Sequence, residues 1–167
     1  MNGSYNYLVH IIGFGLLSLT FVGGFLLDRK FRKEKDWKLK LYVLGIARPL
    51  GIATPIVAAI LLITGIGNIH NRLMGTDVSW LDEGWLVAKV IFFAVMVLNG
   101  LIFGPSLSRK RAGVVKGIVD GSGAADAEQK VVTLNKQITM FYLVQAILLI
   151  TILYLSTFGP GKHPGII

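Results

Sequence analysis

Four long apolar blocks alternate with short polar segments along this chain. Residues 5–27 read YNYLVHIIGFGLLSLTFVGGFLL, and the second block, 41–68, contains RPLGIATPIVAAILLITGIGN. The third covers about 84–106 and the fourth about 131–158. Each holds roughly 20 residues or more, the length a helix needs to cross a hydrocarbon core of ~30 Å. The pattern predicts an all-α chain of four transmembrane helices in one antiparallel bundle. Little sequence remains outside the blocks, so residues 1–167 are expected to form a single transmembrane domain. The first block is too long for the apolar part of a signal peptide, and no Lys or Arg precedes it, so it is expected to be a retained helix.

Composition agrees. The chain is 53% hydrophobic and only 16% charged, with a mean hydropathy of +0.65. A soluble domain of this length carries more surface charge. The net charge of +8 would suggest nucleic acid in a soluble protein, but the basic residues gather between apolar blocks, so it is read as topological and no nucleic-acid partner is expected. There is no cysteine, which excludes disulfides and thiolate chemistry.

The distribution of Lys and Arg sets the expected orientation. Segment 28–40, DRKFRKEKDWKLK, carries seven, and segment 107–130 carries Arg109, Lys110, Arg111, Lys116 and Lys130. The connection between the second and third blocks has only Arg72, and the tail only Lys162. Basic connections stay in the cytoplasm. Both are read as loops on that side, with the N- and C-termini outside a bacterial-type cytoplasmic membrane. Trp80 and Trp85 near the outer boundary and Trp37 near the inner one suit interfacial belts.

Lipid is as apolar as leucine, so helices associate through close packing and polar contacts. One inward face is expected from His10, Gly13, Leu17, Thr20 and Gly24. A second is expected from Gly51, Pro55, Ala58, Leu62 and Gly65, and a polar stripe from Asn135, Thr139, Tyr142 and Gln145. Pro55 is expected to kink its helix, because it removes a backbone donor.

Ionisable and polar groups inside apolar blocks carry a cost, so each needs a reason. His10 and Lys89 fall at similar depth near the outer boundary, and Arg48 and Asn99 nearer the inner one. This predicts an outer and an inner polar cluster. Arg48 and Lys89 either snorkel or bind an anion such as a lipid phosphate or a haem propionate. His10 is either an interhelical hydrogen-bond partner or an iron ligand, with His70 as candidate second ligand. Asp77, Asp82 and Glu83 read as a solvated acidic loop, since their spacing from His70 does not define a metal site. His163 is expected to be solvated. Gly13 and Gly15 lie within an apolar helix and make no phosphate loop. No Ser–His–acid arrangement is visible, and no reaction can be assigned.

Two stretches carry a family resemblance. RPLGIATPIVAAILLITGI, residues 48–66, resembles the second helix of the small HemJ-type and broader CopD-like membrane proteins. GWLVAKVIFFAVMVLNG, residues 84–100, resembles their Trp–x–x–x–Lys helix through Trp85 and Lys89. His10 and the later Gly23–Gly24 loosely match the first helix. The further histidine of the family falls near Asn99 here. The resemblance implies haem b in the bundle, ligated by His10 with His70 as candidate second ligand and Arg48 or Lys89 at the propionates, in redox or haem-related chemistry. The alternatives are a cofactor-free scaffold or partner subunit, or a metal or solute transporter working as an oligomer. The expected partners are the lipid bilayer and either a second copy or another membrane protein.

Overall fold

The computed structural model describes residues 3–75, 77 and 79–159; Lys162 and His163 lie outside them. Four helices account for nearly all of these residues: α1 (Gly3–Lys33), α2 (Trp37–Leu73), α3 (Gly84–Val119) and α4 (Ala127–Phe158). All four are long and apolar enough to cross a membrane. The protein is a multi-pass membrane protein with an all-α, four-helix fold. α1 packs along α2, α3 along α4, and the two hairpins meet where α2 faces α3.

The helices outrun their apolar blocks. At 1.5 Å per residue, 31 to 37 residues make rods of about 46 to 55 Å, against a hydrocarbon core of ~30 Å. Most of the excess lies at the end where α1 turns into α2 and α3 into α4. Segments 28–40 and 107–130, expected as loops, are mostly helix there. Only 34–36 connect α1 to α2, and only 120–126 connect α3 to α4. The local reasons are visible. No Pro or Gly interrupts 28–40. Asp28 and Arg32 pair one turn apart, and Lys30, Arg32 and Lys33 complement the negative end of the α1 dipole. Asp36 caps α2 by accepting from the Lys38 amide at 2.7 Å. In the α3–α4 turn Gly121 adopts φ +70, a left-handed conformation that glycine enters without strain.

These extensions form a head with a core of its own. Phe31, Val43, Val115 and Val131, one from each helix, are buried together, and Phe31 and Val115 are completely enclosed. A second core lies in the membrane half, where Leu17, Val57, Leu61, Met96, Leu148 and Ile152 pack with Phe14, Phe93 and Leu149. Outward positions of that half are large and apolar, among them Leu19, Ile52, Ile63, Leu98 and Ile150, as lipid contact requires.

The expected α1 face is largely the inward one: Gly13 and Leu17 are buried, and His10, Thr20 and Gly24 half-buried. The expected α2 face is inward only in part: Ala58 is buried and Pro55 and Gly65 are half-buried. Gly51 and Leu62 are exposed, and the inward residues are Val57, Ala58, Leu61 and Thr64. Val57 and Leu61 are the inward side chains in the middle of the helix, while Gly65 and Gly67 meet α1 near the terminal end. On α4, Gln145 is buried but Thr139 is exposed and bonds its own helix at Asn135 O. α2 remains helical through Pro49 and Pro55. The Thr54 hydroxyl donates to Leu50 O at 2.8 Å, not to Gly51 O, the carbonyl that Pro55 leaves without its amide partner.

Candidate functional site

Polar groups gather inside the bundle at two places, one at each end. By sequence, fourteen of the seventeen Lys and Arg and six of the nine Asp and Glu sit at or near the head. Among the described residues the opposite end holds Arg72 and Lys89 against Asp77, Asp82 and Glu83, so the net positive charge belongs to the head.

The head is organised around Asp28. Its carboxylate is 5% exposed and accepts from Arg111 Nη1 at 2.5 Å and from Arg32 Nε at 2.7 Å. Arg111 is equally buried. It also donates to Asn135 Oδ1 at 3.1 Å, and its guanidinium lies 4.2 Å from the centre of the Phe31 ring. Arg32 Nη2 reaches Asn135 O at 2.6 Å. Lys40 covers both the Phe31 and Trp37 rings at 4.8 Å. One carboxylate, two guanidinia and an amide thereby join α1, α3 and α4, and a cation–π contact adds α2. Just inside this centre, Tyr142 lies edge-on to Phe21, Phe25 and Phe141. Its hydroxyl lies over Gly24, 2.8 Å from where a Cβ would stand, so a larger residue there would displace the tyrosine.

The terminal-end cluster is neutral where its bonds are made. Asn6 Nδ2 donates to Thr64 O at 2.8 Å and to Asn68 Oδ1 at 2.6 Å. His10 Nδ1 lies 2.8 Å from Thr64 Oγ1. The Thr64 hydroxyl has one proton, and its best acceptor is Ile60 O at 2.7 Å. With that proton on Ile60 O, Thr64 accepts from the Nδ1–H tautomer of His10, in which Nε2 is the unprotonated nitrogen. Glycines set the close approach: a Cβ on Gly67 would meet Asn6 at 2.9 Å, and one on Gly65 would meet the His10 ring at 3.4 Å.

Lys89, on α3, comes close enough to His10 for their charges to interact, so these two do share a region. Arg48 and Asn99 do not. Asn99 is on the α3 face that carries Met96, whose carbonyl accepts from Gln145 Nε2 at 3.2 Å. Asn99 Nδ2 and Gln145 Oε1 are both buried without a partner. Arg48 is exposed, two residues before Leu50, which packs on Gly23. It therefore stands near the head, with most of the membrane between it and His10. His70 is exposed and lies six residues past Thr64, about 9 Å along α2 and on another face.

These positions bear on haem. His10 offers Nε2 as a ligand atom. Beside it, however, Leu61 presses on Gly13 and Gly65 on the His10 ring, and His70 faces elsewhere. A porphyrin held between α1 and α2 by both histidines does not fit this packing, and Arg48 is too far from His10 to serve its propionates. Among the described residues no three His, Cys, Asp or Glu gather as a metal site; Asp77 and Asp82 are exposed, and Glu83 meets Arg72 at 3.4 Å.

Sequence reasoning missed Asp28 and Asn6, read Arg111 only as a loop cation, and placed Asn135 on an inward polar stripe without its partners. The signal for the first was present: Asp28 is the one acid at the junction of an apolar block and a basic run, four residues before Arg32. Comparison with protein families, curated proteins and solved structures yields no match.

Proposed function

We propose that this protein is a scaffold or partner subunit of a bacterial-type cytoplasmic membrane. Its head lies in the cytoplasm and both chain ends lie outside. The observation that carries this reading is the Asp28 centre. It spends buried charge on locking four helix extensions into a rigid basic platform beyond the lipid. Asn6, His10, Thr64 and Asn68 likewise serve helix contacts. The concentration of Lys and Arg in the head supports the orientation.

The natural absence of cysteine makes the test direct. Ser79→Cys should react with an impermeant maleimide in intact cells, and Lys35→Cys only after permeabilisation. The reverse pattern would overturn the orientation. In mild detergent the intact mass should show a stoichiometric complex, with a second copy or a different membrane protein. A lone monomer across gentle solubilisation conditions would count against the subunit reading.

One observation favours a second reading. The Nδ1–H tautomer of His10 has its Nε2 lone pair available, the state an axial iron ligand needs. Together with the resemblance to HemJ-type and CopD-like proteins, this supports haem b on His10 alone, which would supply redox chemistry when bound. A Soret band in protein from haem-replete cells, lost in His10→Ala, is the expected result. Colourless protein would remove this reading.

A further inference from the structure

Exposed cations encircle the bundle at one level. Arg29 adjoins Asp28 on α1, Arg109 and Lys110 immediately precede Arg111 on α3, and Lys136 follows Asn135 on α4. Asp28, Arg111 and Asn135 are bonded to one another, so these neighbours share their depth. Arg48 joins them on α2, placed by the Leu50–Gly23 contact. The five positions fall within about one helical turn along the bundle axis. All five side chains are exposed, and none pairs with a carboxylate among the described residues. Asp28, the acid at this level, is enclosed and saturated by Arg111 and Arg32.

Arg48 makes the need for an anion clearest. On its own face of α2 the neighbours carry no charge: Ile52, one turn away, is exposed at 60%, with Leu44 and Gly51 beside it. It is a lone cation on a lipid-facing apolar strip. Snorkelling carries such a guanidinium to the layer of headgroup phosphates, where it can form paired hydrogen bonds to two oxygens. Arg109 is already braced for this. Its Nε donates to Pro105 O at 3.2 Å, which leaves both terminal nitrogens facing outward.

We infer that this collar is a binding site for the phosphates of anionic phospholipids, so that the protein selects a negatively charged lipid annulus at the head end. The inference stands whether or not the protein is a partner subunit, since it uses only the geometry of the collar.

The test reconstitutes the full chain in bilayers, in phosphate-free buffer, with trace spin-labelled phosphatidylglycerol or phosphatidylcholine. It compares the fraction of each lipid immobilised by the protein. A basic residue near a membrane surface favours an anionic lipid by roughly fivefold, so the wild type should prefer phosphatidylglycerol several-fold. Arg48→Gln/Arg109→Gln/Lys136→Gln should bring the ratio near one while keeping the wild-type thermal transition. Lys33→Gln/Lys35→Gln/Lys38→Gln removes the same charge from the tip of the head and should keep most of the preference. Arg48→Lys should keep more of it than Arg48→Gln. Equal immobilisation of the two lipids by the wild type would overturn the proposal. So would equal loss in the two triple variants, because the overall charge, not the collar, would then be responsible.

Discussion

The head and the membrane half are built from the same four helices but held by different forces. In the head, Phe31, Val43, Val115 and Val131 face water on unfolding, so their burial gains the hydrophobic effect. In the membrane half, Leu17, Leu61, Met96 and Leu148 exchange one apolar environment for another, and only close packing favours the bundle. The polar groups divide the same way. The buried ion pair Asp28–Arg111 lies beyond the apolar blocks, whereas Asn6, His10, Thr64 and Asn68 make neutral hydrogen bonds within them. Charge is used where part of its desolvation cost is relieved by nearby water, and amides and hydroxyls where it is not.

Truncating one buried side chain in each core separates the two forces most widely. Phe31→Ala should cost about 3–5 kcal/mol, the range for a fully buried aromatic in a water-facing core. It also removes the ring beneath Arg111 and Lys40. Leu61→Ala loses no hydrophobic transfer term and keeps only a cavity cost of about 1–2 kcal/mol. Reversible unfolding in mixed micelles by dodecyl sulfate titration measures both. Equal losses would mean that the head is immersed in lipid, which would break the comparison.

The ion pair comes next. Arg111→Met leaves Asp28 buried with Arg32 as its remaining partner, so a loss of about 3 kcal/mol is expected, the low end for breaking a buried pair. Asp28→Asn/Arg111→Met should recover most of it, because no uncompensated charge remains. A double variant as unstable as the single one would show that Arg111 acts by packing on Phe31 and not by pairing.

How much of this was legible in the sequence follows from the same division. The four spans were readable because hydrocarbon demands long apolar runs, and no other signal competes with that one. The head was not, since a run such as DRKFRKEKDWKLK looks like a charged loop until one sees that Phe31 is buried and Trp37 half-buried within it. Helix rotation was readable on α1, where His10, Gly13 and Leu17 lie on one stripe. It held only in part on α2, where Ala58 is buried but Gly51 and Leu62 are exposed, because small residues fall on several faces and the inward choice depends on which of them α1 meets. The pairing of Asn99 with Arg48 failed because depth was counted from block ends, and α3 continues to Val119, well beyond its block. The two-histidine reading rested on depth alone and ignored helix phase, which turns His70 away from Thr64.

The terminal-end cluster sharpens the membrane side of the comparison. Asn6→Ala removes both donors to Thr64 O and Asn68 Oδ1 and leaves Asn68 short of a partner. Interhelical hydrogen bonds in membranes average about 0.6 kcal/mol and reach about 1.7, so a loss of about 1–1.5 kcal/mol is expected, well below that of Arg111→Met. A loss as large as that of the ion pair would mean that neutral groups bind these helices as strongly as charges do.

The smallest effect tests the assigned tautomer. Thr64→Val keeps the shape of the side chain but removes the acceptor for His10 Nδ1–H, and His10→Phe removes the donor. Each single change should cost under about 1 kcal/mol, and the double-mutant cycle should give a coupling near 0.6 kcal/mol. The coupling isolates the Nδ1–Oγ1 bond from the packing of the ring against Gly65. In the wild type, ¹⁵N chemical shifts of the imidazole should report a protonated Nδ1 and a bare Nε2, and in Thr64→Val a mixture of tautomers. A wild-type Nε2–H would reverse the direction of the bond, with Thr64 donating to the ring instead of to Ile60 O. The lone pair on which the haem reading depends would then be gone, and His10 would be left as a structural residue only.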